Sequence, residues 1–287
     1  MAEESATGTP KLRPLAASDL PAARALSAAV GWPHRVEDWR FVHGLGSGVA
    51  LERRGELLGT AMAWRYGTDA AALGMVVVAP ERQGRGLGRR LVAAALDELG
   101  PRRVSLHATE AGLPLYHGLG FRTRGATVRQ HQGVAPPVGP AAPPQGERLR
   151  PVGRGDLSAL FALDAEAAGL DRRAVMEALL GVSEGVVLDR GGEAAGFALL
   201  RRFGRGHVVG PVVAPDAEGA KALIGHWFGA CGGRFLRVDV PEEAGLGPWL
   251  AGLGLAEVDK AIPMLRGEAP VTGRRARAFA FINQALG

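Results

Sequence analysis

Several residue types are scarce in this chain of 287 residues, and each scarcity narrows what the protein can be. The single cysteine, Cys231, excludes an internal disulfide and a cysteine-rich metal site. No run of about 18 apolar residues is present, so the sequence predicts no membrane helix. The first 14 residues are polar and acidic, unlike a signal peptide, and we expect a cytoplasmic location.

Lysine is also scarce, although the formal net charge is +5. The arginines that carry this charge are scattered along the chain. They form no block of five like charges and are not interleaved with aromatic residues. A nucleic-acid partner is therefore not expected, because such proteins concentrate positive charge on one face or segment.

A proline-rich segment divides the chain. Residues 134–146 read VAPPVGPAAPPQG, with five prolines and no periodicity, which is typical of a stiff linker. We expect a first domain at 1–132, a linker at 133–147 and a second domain at 148–287.

The two halves resemble each other over most of their length, at an offset of 137 residues as far as the first strand pair and at a slightly smaller offset beyond it. Leu-Arg-Pro occurs at 12–14 and again at 149–151, and LERRGELLG at 51–59 corresponds to LDRGGEAAG at 188–196. Matches that recur in one order indicate a duplicated domain.

Each half has the same predicted order of elements. An aspartate-capped helix comes first, with Asp19 and Asp156 as the expected N-caps. A strand pair follows, turning at 54–56 in the first half and at 191–193 in the second. An apolar strand, a helix, another strand, a short helix and a last strand complete the unit. This order predicts an α/β fold of the α+β type, with a mixed, mostly antiparallel sheet flanked by helices.

The first half contains a glycine-rich loop after a valine-rich strand. Gly84, Gly86 and Gly88 lie between Ala79-Pro80 and a helix predicted over 89–99. A helix N-terminus exposes unpaired N–H groups, and glycine lets an anion approach them, so the loop predicts a phosphate cradle. The loop lacks the Gly-Lys-Ser/Thr ending of a P-loop and the spacing of a dinucleotide fingerprint. A glycine-rich turn without a ligand remains the alternative.

The segment APERQGRGLGRRL resembles the acyl-CoA loop of the GCN5-related N-acetyltransferase (GNAT) superfamily, whose pattern is Q/R-x-x-G-x-G/A. Gln83, Gly86 and Gly88 match that pattern. The segment LPLYHGLGF at 113–121 resembles the family's short aromatic helix. The resemblance covers most of residues 12–132, and it implies two tandem GNAT-like domains with a degenerate second copy.

The resemblance also implies where acetyl-CoA binds. The pyrophosphate is expected on the glycine loop and the pantetheine arm on the edge of the fourth strand, where the N–H of Val78 is a candidate donor to the thioester carbonyl. The expected cofactor-binding residues are Val76, Val77, Val78, Gln83, Gly84, Arg85, Gly86, Leu87, Gly88 and Arg89. No metal site is expected.

In this family a neutral amine attacks the thioester directly, and a tyrosine returns a proton to the departing thiolate. Tyr116 matches that position, the alternative being a core aromatic. The base that deprotonates the amine is expected to be Glu110 or His107, because both lie on or after the strand VSLHA and histidine titrates in a useful range. A purely structural role is the alternative for each.

The acceptor is expected to be an amine of a small molecule or a peptide. Trp32, His34, Glu37 and Trp39 in GWPHRVEDW are candidates for its pocket, and a packed helix connection is the alternative. A homodimer is a further expectation. The rival hypothesis for the whole protein is an acyl-CoA sensor or a partner-docking module without turnover.

The second half lacks the motifs. Aligned on Ala-Pro, Lys221 stands opposite Gly86 and Leu223 opposite Gly88, so side chains are expected to block an anion there. Glu218 stands opposite Gln83, and its charge is expected to repel a pyrophosphate. Leu250 stands opposite Tyr116. The arginine-rich segment 271–287 is expected to be a closing strand and a tail with solvated charges.

Overall fold

The computed structural model describes residues 8–136, 142–273 and 275–287. The middle of the expected linker, residues 137–141, lies outside the described residues. The first half contains β1 (Lys11–Pro14), α1 (Leu20–Ala29), α2 (Val36–Leu45), β2 (Ser47–Arg53), β3 (Glu56–Tyr66), β4 (Ala70–Val78), α3 (Leu87–Leu99), β5 (Arg103–Ala108), α4 (Leu113–His117), β6 (Arg122–Thr123) and β7 (Val128–Val134). The second half contains β8 (Glu147–Pro151), α5 (Leu157–Ala168), α6 (Arg173–Leu180), β9 (Glu184–Arg190), β10 (Glu193–Phe203), β11 (Gly206–Ala214), α7 (Ala217–Ala230), β12 (Phe235–Pro241), α8 (Gly247–Gly252), β13 (Ala256–Arg266) and β14 (Arg277–Ala280).

One order of elements is thus used twice. Each half runs strand, two helices, three strands, helix, strand, short helix and closing strand, with β13 as the counterpart of β7. The predicted mixed α/β fold and the duplication are confirmed. The additional elements are the two-residue β6 in the first half and β14 at the end of the second half.

Both predicted hairpin turns have a backbone in the left-handed region. Arg54 and Gly55 have φ of 54° and 82°, and Gly191 and Gly192 have 63° and 95°. A two-residue turn with positive φ at both positions matches the right-handed twist of the strands that it joins. This geometry sets the register of β2 on β3 and of β9 on β10.

A three-member charge cluster is repeated at the predicted helix starts. Arg13 binds Asp19 at 2.6 Å and Glu52 at 2.5 Å, and Arg150 binds the corresponding Asp156 at 2.7 Å and Asp189 at 2.6 Å. Each residue of the second cluster lies 137 positions after its counterpart in the first cluster, so the cluster belongs to the duplicated fold.

The two aspartates occupy the predicted N-cap positions of α1 and α5, but their side chains accept no hydrogen bond from the N–H groups of those helices. A short 3₁₀ turn precedes each helix, and the carboxylate reaches back to it: Asp19 accepts the N–H of Ala16 at 2.8 Å, and Asp156 accepts the N–H of Gly153 at 2.7 Å. The bonds to arginine and to this upstream N–H lower the pKa of both aspartates. They therefore fasten the chain entering the helix to the first strand.

The strands of both halves form one continuous sheet. Its order is β1-β2-β3-β4-β5-β13-β7-β12-β11-β10-β9-β8, with β6 on β13 and β14 on β11. Each half's closing strand lies beside the other half's strands: β13 pairs with β5, and β7 pairs with β12. The expected boundary at residue 132 falls inside β7, so a division at the linker does not divide the sheet. The two halves are joined by an exchange of strands.

The core has three parts on this sheet. One apolar cluster is shared by both halves, because α1, α2, α5 and α6 all pack into it. A second surrounds α3 and a third surrounds α7. The shared cluster and the exchanged strands hold the halves at a fixed distance from each other, which allows residues of both to line one cavity.

Among the described residues, no helix combines the length and the apolarity needed to cross a membrane. In the same part of the chain, no group of three or more His, Cys, Asp or Glu side chains is arranged to hold a metal ion.

Candidate active site

The glycine loop adopts a conformation that depends on its glycines. Gly84 and Gly86 both have φ of +74°, and Gly86 is the N-cap of α3. A residue with a Cβ pays about 1–2 kcal/mol in this left-handed region. No atom lies within 4 Å of a Cβ built on either glycine, so glycine is favoured at these positions by the backbone conformation and not by a close neighbour. The space in front of the loop is open.

The loop presents a row of free backbone donors. None of the N–H groups from Gly84 to Arg89 donates a hydrogen bond to any part of the chain that the structure describes; the N–H of Arg90 is the first to bond, to the carbonyl of Gly86 at 3.2 Å. Six unpaired N–H groups at the positive end of a helix form a strong anion site. Arg85 and Arg89 are exposed beside them.

The loop is packed directly against the short helix of the second motif. A Cβ on Gly88 would lie 3.4 Å from Leu115 of α4 and 3.9 Å from Val78 of β4. Leu87 is buried in the cluster around α3. Gly88 thus allows close packing of α3, β4 and α4, and brings the loop next to Tyr116.

Strand β4 has one open edge beside this loop. Its parallel pairing with β5 covers only Ala70, Ala71 and Ala72, after which the two strands diverge. Met75 has φ of 50° and its carbonyl accepts the hydroxyl of Thr60 at 2.8 Å, which marks a bulge in the β3 pairing. The strand beyond the bulge therefore borders a gap in the sheet.

The backbone of β4 alternates between β3 and this gap. Ala79 donates to the carbonyl of Leu58 on the β3 side, so Val77 also faces β3, whereas Val76 and Val78 face the gap. Gln83 confirms this direction, because its Nε2 donates to the carbonyl of Val78 at 3.0 Å. The N–H groups of Val76 and Val78 are therefore directed into the gap, but the backbone of Val77 is not.

Tyr116 lies on α4 at the rim of this gap. Its ring is 8% exposed, packs edge-on against Phe121 at 5.9 Å and lines a cavity. Burial raises the pKa of Tyr116 to about 12, so the phenol keeps its proton at neutral pH. The other tyrosine, Tyr66, is fully buried and donates its hydroxyl to the carbonyl of Leu286 at 2.8 Å. Tyr116 is the tyrosine that can act as an acid in the cavity.

His107 lies on β5 and lines the same cavity together with Thr109, while Leu106 faces the core, because side chains alternate along a strand. Its Nδ1 is 2.9 Å from the carbonyl of Gln284. Since a carbonyl only accepts, Nδ1 must carry the proton, and Nε2 is left with a lone pair. Burial lowers the pKa of His107, so the ring is neutral at physiological pH.

Glu110 lies outside this cavity. Its carboxylate is exposed and pairs with Lys260 at 2.6 Å, an interaction that lowers its pKa. A carboxylate held by a lysine at the surface is a poor base for an amine inside. The geometry disfavours the predicted role for Glu110 and supports the one for His107.

The cavity has a volume of about 270 Å³ and is lined by both halves. Of the predicted acceptor residues, Trp32 and His34 line it. Trp39 does not: it is fully buried and donates its Nε1 to Ser27 at 3.2 Å. Glu37 is exposed, 3.7 Å from Arg40. Burial lowers the pKa of His34 to about 4.

Sequence reasoning missed the residues that the second half contributes. These lining residues come from the β10–β11 hairpin, β12, β13 and the C-terminus: Phe203, Arg205, Arg237, Val258, Asp259, Asn283, Gln284 and Ala285. Gln130 and Gln132 of the exchanged strand β7 complete the wall. No motif identifies them, because their proximity depends on strand exchange.

The C-terminal tail is a wall of this cavity and not a solvated extension. The tail follows β14, and the carbonyl of its Gln284 contacts His107. At Gly287, the carbonyl accepts a hydrogen bond from Arg172 at 2.6 Å. Arg172 is itself held by Asp164 at 2.8 Å. The expected closing strand is present, but the tail's role was not foreseen.

The corresponding region of the second half is filled. Helix α7 begins at Ala217, two residues after Pro215, whereas α3 begins seven residues after Pro80. Asp216 caps α7 by accepting the N–H of Gly219 at 2.8 Å. Strand β14 pairs with β11 where the first half has its gap.

The prediction that the side chains of Lys221 and Leu223 block an anion in the second half is wrong. Leu223 is buried in the core, and Lys221 pairs with Glu218 at 2.8 Å, so neither residue stands in front of an open loop. The helix itself begins earlier and the loop is absent. Leu250, opposite Tyr116, is fully buried.

Comparisons with known proteins match both halves of the chain. The acetyltransferase (GNAT) family matches residues 17–121, and an acetyltransferase (GNAT) domain matches residues 160–280. The chain is 30% identical over 221 residues to the uncharacterized N-acetyltransferase YitH of Bacillus subtilis (strain 168), covering 75% of this chain and 76% of that protein.

Solved structures share the fold over nearly the whole length. A putative acetyltransferase from Pyrococcus horikoshii has a TM-score of 0.78 at 20% identity, covering 100% of this chain and 99% of that one. A GCN5-related N-acetyltransferase from Sphaerobacter thermophilus has a TM-score of 0.68 at 21% identity, with coverage of 92% and 98%. A tandem GNAT protein from the clavulanic acid biosynthesis pathway has a TM-score of 0.66 at 16% identity, with coverage of 91% and 100%.

Proposed function

The chain belongs to the GNAT acetyltransferase family and carries two GNAT domains, and from this we propose that its first half transfers the acetyl group of acetyl-CoA to the amine of a small molecule. The observation that carries the proposal is the row of free N–H groups from Gly84 to Arg89. It lies at the mouth of a gap that leads to Tyr116 and the cavity.

In this proposal the cofactor runs from the loop into the gap. The pyrophosphate binds the six N–H groups, with Arg85 and Arg89 nearby. The pantetheine arm pairs with the open edge of β4 at Val76 and Val78. The thioester then reaches the end of the cavity that Tyr116 lines. Val77 and Leu87 support the strand and the helix from the core side.

The chain supplies groups for each charge change of the reaction. The amine nitrogen attacks the thioester carbon, and the N–H of Val78 donates to the developing oxyanion. When the C–S bond breaks, the sulfur leaves as a thiolate and Tyr116 returns a proton to it. Because burial keeps the phenol protonated, this proton is present at the start of the reaction. The amine loses one proton overall and the thiol gains one.

His107 is the base that the geometry favours. Its neutral ring has a free Nε2 lone pair because Nδ1 is tied to Gln284. A low pKa makes it a weak base but ensures that it is unprotonated at physiological pH. Glu110 remains an alternative, with its pairing to Lys260 weighing against it.

The cavity supports a small-molecule acceptor over a peptide. Its volume of about 270 Å³ is at the lower end of ligand pockets, which are typically about 300–1,000 Å³. The second half and the C-terminal tail close the side away from the glycine loop. A compound about the size of an amino acid fits this space.

The test is release of free thiol from acetyl-CoA in the presence of a panel of small amines and short peptides, with acetylated products identified by mass spectrometry. We expect thiol release that depends on a small amine. Binding of acetyl-CoA without thiol release in any reaction would instead identify an acyl-CoA sensor.

A further inference from the structure

The wall that the second half contributes to the cavity carries two arginines whose hydrogen-bond donors are not all used. Arg205, in the turn between β10 and β11, lines the cavity and has no ion pair or hydrogen bond within the described part of the chain. Arg237, on β12, also lines it; its Nε and Nη2 bind Asp239 at 2.9 and 2.7 Å, while its Nη1 has no partner there. Both guanidinium groups thus have donors left for a ligand.

A third arginine lies behind this wall without a carboxylate. Arg201 is 5% exposed, and its Nε and Nη2 atoms are buried with no hydrogen-bond partner in the described residues. It stacks on the rings of Phe203 at 4.8 Å and Phe41 at 5.4 Å. Burial lowers the pKa of Arg201 to about 10, which still leaves it charged at neutral pH. A buried cation of this kind raises the local potential for an anion.

Two of the nearby carboxylates are already paired with arginines, and neither pairs with Arg205 or Arg201. Asp38 is held by Arg35 at 2.7 Å and by the N–H of Gly204 at 3.0 Å, and Asp239 is held by Arg237. The remaining acidic residue of the cavity, Asp259, pairs with Gln130, which itself pairs with Asp239 in the sheet. Across the sheet, the backbone of Asp259 therefore lies two strands away from the backbone of Asp239, a distance of about 10 Å.

We propose that the acceptor amine also carries a carboxylate, which binds Arg205 and Arg237 on the side of the cavity formed by the second half. Arg201 reinforces this subsite from behind. A guanidinium suits a carboxylate because it donates two parallel hydrogen bonds in a fixed plane. The cavity volume of about 270 Å³ suits an acceptor of about amino-acid size. This inference rests on the proposed function, since it names the substrate class of the same site.

Matched acceptors isolate the carboxylate. Tyrosine and tyramine, lysine and cadaverine, and arginine and agmatine each differ in that group alone. We expect kcat/KM to be about tenfold to a hundredfold higher for the carboxylate member, mainly through KM, as expected for a charge-assisted hydrogen bond. Equal rates within all three pairs, or a preference for the decarboxylated members, would overturn the proposal.

Substitution at the hairpin assigns the preference to this wall. Arg205→Glu should reduce the ratio of kcat/KM for tyrosine over tyramine about tenfold or more. Arg202→Glu is the matched control, because Arg202 is an exposed arginine of the same hairpin that does not line the cavity. An Arg205→Glu protein that folds, shown by circular dichroism, and keeps the wild-type ratio contradicts the assignment.

A binding measurement separates this inference from the proposed function. N-acetyltyrosine and N-acetyltyramine are titrated calorimetrically into the full chain with CoA present. Tighter binding of N-acetyltyrosine, weakened by Arg205→Glu, supports the subsite even if no amine releases thiol. Equal affinities in this titration, together with amine-dependent thiol release, would leave the transferase standing and reject the carboxylate subsite.

Discussion

The gap beside the fourth strand of each half is open in one copy and filled in the other. Strand β4 pairs with β5 over Ala70, Ala71 and Ala72 and then leaves an unpaired edge. Strand β11 separates from β12 in the same way after Val208, but β14 pairs with it at Val212 to Ala214. The duplicated sheet is splayed in both halves, and the first half's splay is the one that stays accessible to a ligand.

The helix that follows the gap shows the same contrast. In the first half, glycines hold a loop whose N–H groups are unpaired, while in the second the side chain of Asp216 satisfies one of these donors. A carboxylate of the chain itself thus occupies the place of an external anion. The second half thus has contacts within the chain where the first half has an open loop and an unpaired strand edge.

The filled copy also serves the open one. Strand β14 leads into the tail that lines the first half's cavity, and the turn after β10 supplies Arg205. The second half therefore provides a wall for the acceptor. The first half provides the open loop and strand edge, and the second half provides a wall of the cavity. This difference between the halves leads to four predictions.

The largest effect is expected where an open loop is given a side chain. Gly86→Glu should weaken acetyl-CoA binding by at least about a hundredfold, since it strains the loop, repels the pyrophosphate and removes access to two or more N–H donors. Lys221→Glu, at the aligned position of the second half, should leave the affinity unchanged. Calorimetric titration with acetyl-CoA measures both, and equal affinities for the two variants would disprove the cradle.

Tyr116 and Leu250 occupy aligned positions, but we expect Tyr116 to affect the reaction rate and Leu250 to affect the stability of the fold. Tyr116→Phe should lower kcat about a hundredfold with little change in acetyl-CoA affinity, because it removes the proton donor and little else. Leu250→Ala should instead lower the free energy of unfolding by about 2–5 kcal/mol, because it leaves a core cavity. Steady-state kinetics and denaturant unfolding distinguish the two, and an unchanged kcat in Tyr116→Phe removes the residue from the chemistry.

The cavity of the open half should make stability depend on pH. The folded chain keeps the pKa of His34 near 4, through burial, against about 6.5 in the unfolded chain. The unfolded state therefore binds the proton first, and stability is lost as the pH falls from about 6.5 through about 4. His34→Gln should remove this part of the dependence, at most ~3 kcal/mol. Denaturant unfolding at a series of pH values measures it, and an identical pH profile in the variant is the contrary result.

The smallest effect is expected at the cap of the filled half. Asp216→Ala should cost about 1 kcal/mol, or a melting temperature lower by about 2–4 °C, through loss of its hydrogen bond to Gly219. It should not create a second acetyl-CoA site, because β14 still fills the gap. Calorimetry therefore should give one cofactor per chain, and a stoichiometry of two would contradict the role given to β14.

Part of the fold was readable from local patterns. The turns at Gly55 and Gly191-Gly192, the helix after the glycine loop and the short helix with Tyr116 all lie where the sequence predicted them. Each depends on neighbours within a few residues, through backbone conformation and hydrophobic periodicity. The positions of His107 on β5 and of Thr109 just after it, on the same side of the chain, follow from the local alternation of side chains along an extended strand.

Other features had no local signal. His107 contacts Gln284, and Tyr66 contacts Leu286, across 177 and 220 residues of sequence. The expectation that Lys221 and Leu223 would block the second loop was also wrong, because a residue alignment does not show where a helix begins. Asp19 lies at the predicted N-cap of α1, but its carboxylate binds Arg13, a partner that is nearby only when β1 is in place.

The sequence by itself determined the duplicated order of elements, the hairpin turns and the bare glycine loop, since each arises from the conformational preferences of adjacent residues. The tertiary structure alone decided the exchange of β7 and β13, the insertion of β14 beside β11 and the joint lining of one cavity by both halves. The physical reason is that strands pair through backbone N–H and C=O groups that nearly every residue possesses. The partner of a strand is therefore chosen by the packing of the whole chain.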